Sequence, residues 1–166
     1  KGMYVIVAGK RNDIGATMDA YSAAYLGSTE VYGERIAPFG ADALTVNGYL
    51  GTDGIEPALK TGGSIFVLVK TSNKSSGELR RCDGKTIYET MGDMCEKWGE
   101  KYMGSYGYSA VGAVVGATYP AMLAEMREKL PHTFFLVPGY GAQGGGAEGV
   151  AKGFDENGNF VDSYLI

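Results

Sequence analysis

The stretch YVIVAGKRNDIGAT, Tyr4 to Thr17, sets Lys10 and Asp13 three residues apart just past an apolar, largely β-branched run. An ammonium and a carboxylate at one rim can hold the lysine protonated and let it deliver its proton. The plain alternative is a charged, solvated turn closing a strand. A second cluster, VPGYGAQGGGAEG, contains Gly139, Gly141 and Gly144 in a G-x-G-x-x-G spacing between an apolar run and a helical pattern. Backbone N–H groups in such a loop can bind phosphate. A dinucleotide fold places that loop after its first strand, with an acidic residue about 20 positions on. Here it comes late, where a (β/α)₈ barrel builds its phosphate site.

Other polar residues carry less. Thr45 and Asn47 read as strand-end residues. His132 reads as surface, and Cys95 with Trp98, three apart in a helical pattern, read as packing. Twelve tyrosines are scattered over helices and loops alike, which fits core and interface packing rather than a stacking platform.

The elements that must position these groups follow from the apolar runs. Six have strand length: Met3 to Gly9, Ala43 to Leu50, Ser64 to Ser72, Ala110 to Ala117, Thr133 to Gly139 and Asn159 to Ile166. The first five are continuously apolar at their centres, as expected of strands buried on both faces. Helical patterns alternate with them, beginning at Ala16, Gly54, Thr86, Tyr119 and Ala147, the fourth with Thr118 as its expected N-cap and Pro120 in its first turn. This alternation predicts a parallel sheet, open or closed into a barrel. Polar residues follow nearly every strand: Lys10 and Asp13, Asn47, Thr71 to Asn73, Thr118 and Gln143. That arrangement favours the barrel, whose functional residues gather at strand carboxyl ends.

Bulk properties exclude several classes. With 166 residues, 45% of them hydrophobic, a real core is within reach. The net charge of -4 comes without any block of like charge, which argues against nucleic acid or an anionic membrane surface as partner. No apolar run approaches the ~20 residues a bilayer-spanning helix needs. Two cysteines, Cys82 and Cys95, without a C-x-x-C pair suit reduced thiols in a cytoplasmic protein. Glycine is abundant, 27 residues without a fixed period, and therefore marks turns and close approaches rather than a fibre.

The segments GKRNDIGAT, ADALTVNGYLGTDG, FVLVKTSN, VGAVVGATYP and FFLVPGYGAQGG, in this order and spacing, resemble the strand ends of orotidine 5′-phosphate decarboxylases. The likeness is to the bacterial subgroup that is itself similar to the parasite enzymes, and it covers Tyr4 to about Phe160. The resemblance implies a (β/α)₈ TIM barrel, of which this chain would cover about the third to eighth strands. Residues 1–166 would then form a single barrel domain without its first two βα units and the end of its last. It also implies a homodimeric, cytoplasmic lyase of de novo pyrimidine biosynthesis that converts orotidine monophosphate to uridine monophosphate and carbon dioxide. Neither metal nor organic cofactor is implied.

Residue by residue, the family's Asp-x-Lys-x-x-Asp motif maps Lys10 onto the lysine that protonates the pyrimidine carbon. Asp13, with Ile14 and Thr17, maps onto residues that reach the neighbouring subunit's site. Ser72 matches a serine that binds the pyrimidine. Gln143 matches a glutamine spanning base and phosphate, with Gly144 and Gly145 beside it in the substrate-binding loop. Ala8 stands where the motif has its first aspartate, and Asp162 and Leu165 stand where the last strand has asparagine and arginine. Two other readings therefore stay open: a non-catalytic phosphate- or nucleotide-binding form of the barrel, and a related sugar-phosphate decarboxylase.

Overall fold

A computed structural model describes residues 2–79, 81–82, 84–141, 143–154 and 163–165. The chain divides into two compact units, Lys1–Val67 and Leu68–Ile166.

In the first unit, β1 (Ile6–Arg11) leads into α1 (Gly15–Tyr25), a hairpin of β2 (Thr29–Val31) and β3 (Glu34–Ile36), and then β4 (Ala43–Val46). A 3₁₀ turn over Gly48–Gly54 and the short α2 (Glu56–Leu59) connect to β5 (Ser64–Lys70), whose first four residues belong to this unit. β4 pairs in parallel with β1 on one side and β5 on the other. All four residues of β4 are buried, and Met18 of α1 with Ile55 and Leu59 close over the core. The α1 helix buries only Met18 and Ser22, the Ser22 hydroxyl donating to the Met18 carbonyl at 2.6 Å.

In the second unit, the end of β5 passes through a 3₁₀ turn, Lys74–Gly77, to a hairpin of β6 (Arg81–Cys82) and β7 (Lys85–Thr86). There follow α3 (Ile87–Gly99), β8 (Val111–Val115), α4 (Pro120–Lys129), β9 (Phe135–Val137), α5 (Ala147–Val150) with a 3₁₀ turn to Gly153, and β10 (Ser163–Leu165). β8, β9 and β10 pair in parallel, in chain order. The α3 helix starts with a capping box: Thr86 accepts from the Glu89 N–H, and Glu89 accepts from the Thr86 N–H. Gly92 lets α4 come close, since a Cβ there would lie 3.2 Å from Leu130. β8 and β9 are wholly buried, and Leu123, Met126 and Phe135 lie among the largest fully buried side chains.

The alternation of parallel strands and helices is as expected, with instructive departures. β1 is half-exposed rather than buried on both faces, because β4 is its one partner among the described residues. It also runs through Arg11, so the charged residues Lys10 and Arg11 lie inside the strand rather than beyond it. Thr118 does not cap α4: Tyr119 is the N-cap, without a side-chain cap, and the Thr118 hydroxyl donates to the Ser72 carbonyl at 3.4 Å. Both hairpins lie where the sequence reading expected no strands. The first turns at Tyr32 and Gly33, both with positive φ (53° and 84°), as a two-residue hairpin turn demands. The sixth expected strand, Asn159 to Ile166, lies partly outside the described residues, as does Asp162; within it β10 spans Ser163–Leu165.

Candidate active site

In the first unit the candidate chemistry sits on an irregularity of β1. Between two points of register, β1 advances four residues, Val7 to Arg11, while β4 advances two, Leu44 to Val46. The surplus forms a bulge carrying Ala8, Gly9 and Lys10. Within it Lys10 takes a left-handed backbone conformation, φ 48°, which costs a non-glycine residue about 1–3 kcal/mol. A hydrogen bond secures it: the Lys10 N–H donates to the Thr45 hydroxyl at 2.9 Å, and Thr45 is buried in β4. The Lys10 side chain is exposed, as is Ala8. Next to the bulge, Arg11 donates to the Tyr25 hydroxyl at 3.3 Å and lies 5.5 Å and 5.8 Å from the ring centres of Tyr21 and Tyr25.

Past β1 the chain turns sharply into α1. The Asp13 carboxylate accepts from the Ile14 N–H at 2.8 Å, so it partly orders its own helix start. Ile14, the N-cap, is 65% exposed, and Thr17 is also exposed. Asn12 anchors the turn: its Oδ1 is buried without a hydrogen-bond partner, and a Cβ at Gly54 would collide with it. Gly54 is therefore glycine because the Asn12 carboxamide occupies the space a side chain would need.

The second unit gathers Ser72, Gln143 and the glycine loop. A Cβ on Gly116 would lie 3.0 Å from Ser72 N, Cα and Cβ; one on Gly139 would lie 3.4 Å from Ser72 Cβ and 3.1 Å from Gln143 Oε1. Ser72 and Gln143 thus meet across Gly139, which itself needs its glycine for a φ of 93°. The loop is internally bonded: Gly141 donates to Gly145 at 2.8 Å, Gly144 to Gly141 at 2.8 Å and Gly145 to Gly139 at 3.1 Å. The amides of Gly144 and Gly145 are accordingly occupied within the loop, which reduces the phosphate cradle expected of them. Gly145 is buried, pressed so closely on Ala117 that a Cβ would come within 2.7 Å. Gln143 is exposed and available to a ligand.

The expected site residues therefore fall into two groups. Lys10, Asp13, Ile14 and Thr17 belong to the first unit; Ser72, Gln143, Gly144 and Gly145 belong to the second. Sequence reasoning undervalued Thr45, whose one visible sign was a hydroxyl in an otherwise apolar run, ALTV. Asn47 caps the following 3₁₀ turn, accepting from the Tyr49 N–H at 3.0 Å. Cys95 and Trp98 are buried in α3, and burial pushes the Cys95 thiol up, away from reactivity. His132 is exposed and bonds Glu96 at 3.1 Å. Among the described residues no group of acidic, histidine and cysteine side chains could hold a metal ion.

Parallel βα units with polar residues after successive strands define part of a (β/α)₈ barrel. The family described as orotidine 5′-phosphate decarboxylase / HUMPS matches residues 1–159, and the chain belongs to that family. An orotidine 5′-phosphate decarboxylase of Rhodopirellula baltica is 50% identical over 163 residues, 95% of this chain and 53% of that protein. One of Caldicellulosiruptor bescii is 45% identical over the same shares. The chain thus spans about half the length of these relatives. Among solved structures, Leishmania donovani UMP synthase superposes with a TM-score of 0.82 at 33% identity, covering 99% of this chain and 34% of that one. Leishmania donovani OMP decarboxylase gives 0.76 at 30% identity, covering 99% and 58%. The likeness to both bacterial and parasite proteins matches the subgroup expected from the sequence.

Proposed function

We propose that this chain is the lysine-bearing part of an orotidine 5′-phosphate decarboxylase, a cytoplasmic lyase that forms uridine monophosphate and carbon dioxide. The observation that carries this reading is 50% identity to such an enzyme across 95% of the chain. It gains support from Lys10, held in a strained bulge with its ammonium exposed. The bond between the pyrimidine ring and its carboxylate breaks, carbon dioxide leaves, and the electron pair left on the ring carbon takes a proton from the Lys10 ammonium. Solvent then reprotonates Lys10. A fixed cation beside that carbon stabilises the carbanionic transition state more than the bound substrate, the condition for catalysis. Neither metal nor organic cofactor enters this scheme.

Ser72 binds the pyrimidine and Gln143 spans base and phosphate, with Gly139, Gly144 and Gly145 shaping the loop between them. Asp13, Ile14 and Thr17 serve the neighbouring active site of a homodimer, a role suited to the exposure of Ile14 and Thr17 at the start of α1. One observation favours a second reading, a nucleotide-binding protein without turnover: Ala8 replaces the aspartate that would press on the substrate carboxylate and orient Lys10.

The native polypeptide carrying this segment, assayed on orotidine monophosphate by the loss of orotate absorbance, decides between them. Turnover is the expected result. Tight uridine monophosphate binding without turnover establishes the second reading. Competition by a ketogulonate phosphate but not by uridine monophosphate would move the assignment to a sugar-phosphate decarboxylase.

A further inference from the structure

Lys70, the last residue of β5, is 5% exposed, and no carboxylate pairs with it among the described residues. A buried ammonium without a counter-ion is costly and persists where something else holds it. Here hydroxyls and a ring do so. Lys70 Nζ donates to Ser76 Oγ at 2.6 Å and lies 4.2 Å from the centre of the Tyr119 ring. Ser76 Oγ donates in turn to the Tyr119 hydroxyl at 3.3 Å, which reaches the Asn73 carbonyl at 3.5 Å. The relay leaves β5, crosses the 3₁₀ turn and the N-cap of α4, and returns to the residue following Ser72. The backbone closes the other side: Gly116 donates to the Lys70 carbonyl at 2.7 Å, and Thr118 donates to the Ser72 carbonyl at 3.4 Å.

We propose that Lys70 is a positioning residue for pyrimidine recognition, its buried ammonium fixing the segment 71–77 through Ser76 and Tyr119 so that Ser72 faces the base. This rests on the reading of Ser72 as a base-binding serine. The proposed chemical step does not use Lys70, whose ammonium is held by the Ser76 hydroxyl and the Tyr119 ring. A plain core residue would not need a charge there, because a methionine of similar length would fill the same volume.

Two measurements on Lys70→Met and Tyr119→Phe test the proposal. The first is hydrogen exchange without ligand at the Ser76 and Glu78 amides, which are bonded within the turn at 3.1 Å and 3.0 Å. Exchange there rises about tenfold or more in Lys70→Met, less in Tyr119→Phe, while amides of α3 keep their rates. The second compares uridine monophosphate with ribose 5-phosphate, which lacks the base. Lys70→Met loses about tenfold in affinity for the nucleotide and none for the sugar phosphate. Unchanged exchange at both amides overturns the proposal, as does an equal loss for the two ligands. If Lys70→Met does not fold, Tyr119→Phe, which keeps ring and volume, must show the same pattern more weakly, or the proposal falls. Wild-type protein that binds neither ligand refutes the functional reading instead, and the exchange rates then decide the relay alone.

Discussion

The two units hold their candidate residues by different means. Lys10 in the first is placed by its backbone: a two-residue surplus in β1, a left-handed φ and one buried hydroxyl from Thr45. Ser72 in the second, not among the residues with positive φ, is placed by close packing against Gly116 and Gly139 together with the Thr118 hydroxyl bond to its carbonyl. A reacting group gains from a fixed backbone because its error in position enters the barrier directly. A recognising group can be held by packing, since binding tolerates small adjustments that the chemical step does not.

The largest expected effect breaks the first half of that contrast. Lys10→Ala should lower kcat/KM for orotidine monophosphate by about 10³-fold or more while uridine monophosphate still binds, because the proposed proton donor would act on charge that develops in the transition state. Equal losses of binding and turnover would make Lys10 a binding group like Ser72. Next, Ala8→Asp should raise kcat by about 10²-fold with little change in KM, as expected of a carboxylate that orients the proton donor. No gain in steady-state kinetics would show that the bulge alone suffices.

Smaller effects set the two placements side by side. Thr45→Val leaves the Lys10 N–H without its acceptor and should cost about 1–3 kcal/mol in denaturant unfolding, with the loss in kcat exceeding the loss in affinity; Thr45→Ser should restore both. Gly116→Ala adds a Cβ 3.0 Å from Ser72 and should cost about 1–3 kcal/mol, with nucleotide affinity falling more than kcat. Reversed patterns would erase the distinction.

The smallest effect concerns stability away from either group. Lys129 and the Thr86 hydroxyl and N–H, all donating to Glu89, hold its carboxyl at about 2 against an ordinary 4.5. A depressed carboxyl stabilises the fold above pH 4.5, and the contribution is lost as pH falls toward 2. Thermal melts should show the midpoint dropping over that range, and Glu89→Gln should flatten the drop.

Much of this was legible in the residues. Apolar runs such as AVGAVV announced buried parallel strands because both faces of such a strand must be apolar. The same alternation put Ser72 just past the end of β5, whereas Lys10 lies inside β1. What escaped depends on partners distant in sequence. The left-handed turn at Lys10 requires Thr45, 35 residues away, and no local pattern encodes it. The relay from Lys70 closes on Tyr119 across a longer stretch still. The first hairpin was different: Tyr32-Gly33 between Thr29–Val31 and Glu34–Ile36 was a local turn sign, in triplets that each carry charged residues.

The surplus in β1 is even, and that has a consequence for how the chain tolerates length changes. Side chains alternate between the faces of a strand, so four residues set against two bring Arg11 back in phase with Val7. Removing one residue between Val7 and Arg11 would invert the parity of everything up to α1, turning Arg11 from Tyr25. Removing two would abolish the bulge, leaving one residue opposite Thr45, and keep the strand in step. Natural length variation in this stretch is therefore expected in pairs, and a paired loss that takes Lys10 would give an ordinary strand without the proposed proton donor.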